Sequence, residues 1–342
     1  MDSRLFQRTS GRSGSRAPTS IIGSTDIPNA MELEIGDHRY QWIDNWASIP
    51  DTESGHENGR THGVAVASDG RVVVFNQADP AVLVFDEAGD LIDSWGSRFG
   101  GAHGLTLVED GGDEHLWLTD EHSAEVAKTT LDGKTLTRLD RPDHEAYTDG
   151  DYVPTWVAVH ERHHGGTGDI WVADGYGESL VHRFDETGSY RGTLDGSAGA
   201  GRFDCPHAIA FDTRGNGTEA EMYVADRGNE RVQVYAPDGT FSRSFGSDAL
   251  TSPCSFDTHD GKMVIPELYA RVTLLDETDT VLGHMGAHED IVDHVDWPNV
   301  PENRLEPGVF NSPHDAAFDE EGNLYVVEWI VGGRITKLQR IT

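Results

Sequence analysis

Six times along the chain one pattern returns: a short apolar run, a polar turn, then a second apolar run that ends in Asn, Asp or Glu. The copies are THGVAVASDGRVVVFNQ (61–77), AHGLTLVEDGGDEHLWLTDE (102–121), PTWVAVHERHHGGTGDIWVADG (154–175), PHAIAFDTRGNGTEAEMYVADR (206–227), PCSFDTHDGKMVIPEL (253–268) and PHDAAFDEEGNLYVVEW (313–329). A third strand-like run follows each, as in AVLVFDEAG, LVHRFDETG and RVQVYAPDG, and five copies continue into a fourth, as in LIDSWGS and FSRSFGS. Runs rich in Val, Ile, Phe and Tyr, punctuated by Asp and Gly, read as strands and turns. Repeats of this kind cannot bury their faces alone and stack on their neighbours. The sixth copy stops at Thr342 without a fourth strand, while an unassigned run, YQWIDNWAS (40–48), precedes the first. Lending that run to the last copy closes a ring and removes an open sheet edge. The expected fold is all-β, a six-bladed β-propeller over residues 37–342, with residues 1–36 as a disordered tail. A two-sheet sandwich does not explain six units.

Aligning the copies turns the sequence into a ring with a register. The position at the mouth of the first strand reads His62, His103, Thr155, His207, Cys254 and His314 through the six blades. The innermost strands of a propeller surround its axis, so these residues should face one end of the central channel. His103, His207 and His314 fall on alternate blades and form an approximate three-fold set. Three neutral imidazoles with an open fourth position are a ligand set for catalytic Zn²⁺. The competing reading for any one of them is a histidine inherited by repetition that hydrogen-bonds a loop. His62 and Cys254 share the register as extra ring contacts or as packing in the channel wall.

Charge narrows the classes of function. Sixty acidic residues stand against 26 basic ones, a formal charge of −34, and only four of the basic residues are Lys. Such a chain repels phosphate backbones and anionic lipid, which argues against nucleic-acid and membrane partners. Acid spread along the whole sequence, with Arg in place of Lys, suits a salt-loving host. The Arg-, Ser- and Gly-rich first 30 residues lack the apolar run of a secretory signal, and two cysteines make no disulfide framework. The expectation is a cytoplasmic monomer acting on a small molecule or peptide.

Several of these segments resemble the peptidyl-α-hydroxyglycine α-amidating lyases, six-bladed propellers of the NHL-repeat superfamily. AHGLTL, CPHAIAF and SPHDAAF resemble the strand mouths that carry that family's zinc histidines; VADGYGES resembles the segment with its catalytic Tyr, and VADRGNERVQVY the segment with an active-site Arg. The resemblance implies Zn²⁺ on His103, His207 and His314, Tyr176 as general base and Arg227 at the substrate. It also implies a structural Ca²⁺ held by Asp315 and the backbone carbonyls of Val64 and Leu105, a donor set suited to a hard cation. Two positions depart from the family. Gln77 stands where the family has an Arg that meets the substrate carboxylate, and Ser312 replaces the Met before the third Pro-His step. The disulfides of secreted members are also missing.

The implied reaction is cleavage of a carbinolamide, R-CO-NH-CH(OH)-R′, to an amide and an aldehyde or glyoxylate, with Gln77 beside the catalytic pair Tyr176 and Arg227. Two other classes remain open at this stage. One is a non-catalytic interaction module, since a propeller alone does not imply an enzyme. The other is a calcium-dependent sugar-lactone hydrolase using the acids and amide that end the second strands: Asn76, Asp120, Asp174, Asp226, Glu267 and Glu328.

Overall fold

A computed structural model of the chain describes residues 21–23, 31–214 and 220–341. It is a six-bladed β-propeller. Five blades are four-stranded antiparallel sheets in chain order, the first running through Thr61–Val66, Val72–Asn76, Val82–Phe85 and Leu91–Trp95. The inner strands of the other five are Ala102–Asp110, Trp156–Val159, Pro206–Asp212, Asp257–His259 and Pro313–Phe318. In blade six the expected closure is present, with His38–Ala47 lying antiparallel to Arg334–Ile341 and Leu338 opposite Trp42.

Burial falls from the axis outward, and the sequence shows why. Second strands such as VVVFN and IWVAD have a neighbouring blade on both faces, so every residue is buried. They read as continuous apolar runs rather than alternating ones. The outermost strand of blade one, Leu91–Trp95, is mostly solvated, with Leu91 and Ile92 exposed. Between blades the large side chains Phe75, Phe85, Trp171, Tyr223, Tyr235 and Tyr325 are almost wholly enclosed. Each contributes about 1.5–3 kcal/mol of burial. The turns between third and fourth strands repeat one device: Asp86 Oδ1 accepts from Ala88 and Asp90 N–H at 3.0 Å, and Gly89 follows at φ +89°. The left-handed region favours Gly there.

The expected tail over residues 1–36 lies mostly outside the described residues, but its end is corrected. Met31–Ile35 is a strand paired with His38–Ala47, and Ile21–Gly23 pairs with it in turn, so blade six has six strands. The reason is local. MELEI alternates apolar and charged residues with period two, and Leu33 and Ile35 enter the core beside Val264, Phe310 and Leu338.

Blade five is the least regular. Its inner strand is only Asp257–His259, preceded by an isolated bridge between Pro253 and Glu267. The long connection from there to blade six packs Ile291, Trp297 and Val300 against Cys254, Leu268 and Ala270. Trp297 donates to the Asn311 carbonyl at 3.0 Å. This segment covers the rim where inner strands begin and second strands end. No helix among the described residues is long and apolar enough to cross a membrane.

Candidate metal centre

The three alternate-blade histidines meet on the axis. Ring centroids are 4.8 Å apart for His103–His207, 4.9 Å for His103–His314 and 4.8 Å for His207–His314, and all three residues are buried. Each is held by a rule the sequence did not show. His103 Nδ1 lies 2.8 Å from the Thr155 carbonyl, His207 Nδ1 2.7 Å from that of Cys254, and His314 Nδ1 2.8 Å from that of His62. Even blades supply the imidazole, and the register residue of the next odd blade supplies the carbonyl. An Nδ1–H donated to a carbonyl fixes the tautomer and leaves Nε2 as the lone-pair nitrogen. Burial pushes all three imidazoles well below their usual 6.5, with neighbouring charge adding to it. They are neutral and competent as ligands.

Small residues make these approaches possible. A Cβ on Gly104 would stand 2.3 Å from the Thr155 carbonyl oxygen, and one on Gly63 would meet Leu105 Cβ at 2.6 Å. The inner strands of blades one, two and three therefore close on one another at the histidine register.

Tyr176 and Arg227 join the same centre. The Tyr176 hydroxyl is 3.1 Å from Nε2 of both His103 and His207, and Arg227 donates to it at 3.3 Å. Arg227 is 6% exposed, and among the described residues no carboxylate pairs with it. Burial pushes the Tyr176 phenol well above its usual 10, while the Arg227 charge pulls it down.

The loop that carries Tyr176 is tightly specified. Asp174, at the end of its strand, accepts from Val153 N–H at 2.7 Å, Glu178 N–H at 2.8 Å and the Tyr147 hydroxyl at 2.7 Å. A side chain at Gly177 would come within 2.2 Å of Asp174 Oδ1, and one at Gly175 within 2.6 Å of the Pro206 carbonyl.

The other strand-end residues serve the same purpose. Asp120 accepts from Gly101 and Ser123 N–H, Asp226 from Asp204 N–H, and Glu328 from Asn311 and Ser312 N–H. Arg231, Arg271 and Arg334 pair with Asp226, Glu267 and Glu328. Their carboxylates are loop staples, which weighs against the lactone-hydrolase use of these positions.

His62 does reach the ring, with centroids 5.0 Å from His103 and 4.5 Å from His314. Cys254 contributes its carbonyl; its thiol instead donates to the Ser252 carbonyl at 3.5 Å. Gln77 is 8% exposed and donates to Glu121 at 2.9 Å. Sequence reasoning missed two residues near it. Arg60 lays its guanidinium 5.6 Å from the Trp329 ring centroid, and Trp329 lies 6.5 Å from the His62 ring. Glu121 bears electrostatically on both Arg60 and Tyr176. Arg60 precedes the first copy and has no counterpart in the repeat, whereas Glu121 shares the position of Gln77 and Arg227 just after the second strand, a signal that could have found it.

Asp315 is buried one residue beyond His314. It accepts from Val64 N–H at 2.8 Å and from Ala316 N–H at 2.9 Å. Leu105 sits on the adjoining inner strand and is 2% exposed. Burial pushes the Asp315 carboxyl up to about 8, with Asp257 adding to it.

The residues fit a transition metal. The donors are neutral nitrogens, three of them anchored, and His62 Nδ1 is buried with no hydrogen-bond partner. Imidazole suits Zn²⁺ among others.

Fold and site together define a six-bladed β-propeller whose axis gathers buried histidines at one end. No family model matches the chain. Its relatives include NHL repeat-containing and amidating proteins. NHL repeat-containing protein 3 of Homo sapiens is 28% identical over 226 residues, covering 60% of this chain and 61% of that protein. The "Probable peptidyl-alpha-hydroxyglycine alpha-amidating lyase pgal-1" of Caenorhabditis elegans is 26% identical over 211 residues, 53% of this chain and 56% of that protein. Peptidyl-glycine alpha-amidating monooxygenase of Mus musculus is 27% identical over 214 residues, 53% of this chain and 21% of that protein.

The chain thus spans about three-fifths of the NHL relative and one-fifth of the monooxygenase. Among solved structures, a gluconolactonase from Xanthomonas campestris superposes with a TM-score of 0.60 at 16% identity, covering 96% of this chain and 99% of that one. A streptogramin B lyase superposes at 0.54 and 13%, covering 88% and 98%. At such identity these two show the shared fold. The resemblance drawn from the motifs holds at the level of NHL-repeat proteins and amidating-lyase-like relatives.

Proposed function

We propose that this chain is a zinc-dependent lyase that cleaves the C–N bond of a carbinolamide. The observation that carries the reading is the Tyr176 hydroxyl, 3.1 Å from the Nε2 atoms of two ring histidines and within 3.3 Å of Arg227. His103, His207 and His314 would hold the ion, which supplies Lewis acidity toward a substrate hydroxyl. Arg227 would hold Tyr176 as its phenolate, whose Oη takes the hydroxyl proton and so becomes the phenol that returns a proton to the leaving nitrogen. As the C–H(OH) carbon becomes a carbonyl, the C–N bond breaks and the nitrogen leaves with a proton. One carbinolamide gives one amide and one aldehyde, or glyoxylate where R′ is a carboxylate. Gln77 and Arg60 stand where the R′ group would be read. Asp315, with the Val64 and Leu105 carbonyls, is the place for a structural Ca²⁺. The acidic, Lys-poor composition supports a salt-rich cytoplasm as the setting.

The test is turnover of α-hydroxyhippurate by zinc-loaded protein, read as benzamide and glyoxylate. Tyr176→Phe should lower kcat by about 100-fold or more with zinc content unchanged. Zinc-loaded wild type that turns over neither this compound nor a carbinolamide with a neutral R′ would refute the reading. Equal activity of Tyr176→Phe would remove the role given to the phenol.

A further inference from the structure

Three register residues on the odd blades lend their carbonyls to the ring, but their side chains behave differently. Thr155 Oγ1 donates to the backbone carbonyls of Ala173 and Pro206, and the Cys254 thiol donates to that of Ser252. His62 has no such outlet. It is 2% exposed, its Nδ1 has no hydrogen-bond partner, and one ring nitrogen from each of His62, His103 and His314 lie within 4.8 Å of one another. Buried polar atoms in native proteins rarely go unpaired. Here the unpaired one belongs to an imidazole packed against two of the proposed ligands.

We propose that His62 is a fourth imidazole ligand of the ion held by His103, His207 and His314, and the one that substrate displaces. The inference rests on the metal part of the proposed function. Its second half follows from the anchoring. The Nδ1 atoms of His103, His207 and His314 are each tied to a carbonyl of the following blade, whereas the His62 ring has no such bond across blades, only a backbone interaction with Arg60 two residues before it. A ligand without a hydrogen bond anchoring it to the next blade is held less firmly than one that has it. Four nitrogens fill a tetrahedral ion, so the resting centre is closed to water and small anions. An incoming hydroxyl opens it by pushing His62 aside.

Two measurements decide it without any substrate. X-ray absorption on zinc-loaded wild type should count four imidazole nitrogens; three imidazoles and one oxygen would overturn the proposal. Co²⁺-loaded wild type should keep its visible spectrum in azide at concentrations at least tenfold above those that shift His62→Ala. Added imidazole should return the variant's spectrum to that of wild type. Equal azide response in the two proteins would overturn it. Should His62→Ala fail to fold or load, the ligand count on wild type still decides. Inactivity toward carbinolamides with four imidazoles counted would refute the lyase and leave this site standing, whereas failure to bind any ion would overturn both.

Discussion

Within blade three, His182 is fully buried among Tyr147, Tyr152 and Tyr190, with Nδ1 2.8 Å from Thr193 Oγ1 and Nε2 2.5 Å from the Tyr147 hydroxyl. Tyr147 donates its one proton to Asp174, so His182 must be the donor at Nε2 and the acceptor at Nδ1. A second proton has no acceptor unless Thr193 turns over. Burial, with His144 adding to it, pushes this imidazole down from 6.5 to about 3. The unfolded chain therefore takes up a proton near pH 6.5 that the folded chain refuses until about pH 3. The associated stability is full above 6.5 and is lost as pH falls. At pH 4 the gap is roughly 2.5 units, or about 3 kcal/mol at about 1.4 kcal/mol per unit.

His182→Gln keeps a side chain that can bond Thr193 and Tyr147 but does not titrate. In urea unfolding the variant should lose about 3 kcal/mol less than wild type between pH 7.5 and pH 4. Contributions of the ring histidines are common to both proteins and cancel. Parallel profiles would show that the site relaxes to take the proton and that the argument from burial fails. Because Asp174 staples the Tyr176 loop, the acid limb of any activity should shift with the stability difference.

Melting temperature should climb by several degrees between 0.1 M and 1 M NaCl, as the Debye length falls from about 10 Å to about 3 Å and screens the −34 charge; a flat profile would mean that the acid serves a partner or a cation. Gly177→Ala places a Cβ 2.2 Å from Asp174 Oδ1. It should lower turnover by at least about tenfold while costing about 1–3 kcal/mol of stability, and unchanged turnover would free Tyr176 from this loop geometry. Gln77→Arg should improve carboxylate-bearing carbinolamides by less than about tenfold, because Glu121 already engages residue 77. Adding Glu121→Gln should release the roughly ten- to hundredfold gain of one charge-assisted contact, and kcat/KM for acidic against neutral substrates checks both.

The ring of histidines was legible because repetition converts a sequence position into a place around an axis; His103, His207 and His314 share a register before any coordinate is known. The carbonyl anchors were not legible, since Thr155, Cys254 and His62 serve through backbone atoms that any residue carries. Met31–Ile35 was hidden for a different reason. Its period-two alternation was present in MELEI, but the Arg- and Ser-rich composition before it outweighed five residues. Arg60 lies before the first repeat copy, and Glu121 follows a second strand at a position filled by a different residue in each copy, so proximity in three dimensions, rather than residue type, marks them.

The strand His38–Ala47 is synthesised before blades one to five, yet the strand that pairs with it, Arg334–Ile341, follows all of them. Until then blade six has no partner for its N-terminal half, and a nascent chain that has made blades two and four displays His103 and His207 without His314. Multistrand proteins risk misassembly during such an interval. An ion that took imidazoles from blades two, four and six would be held only by a chain whose circle is complete. On the proposed reading metal uptake would be a check on ring closure: a truncated or misclosed product would stay empty, and for that reason inert.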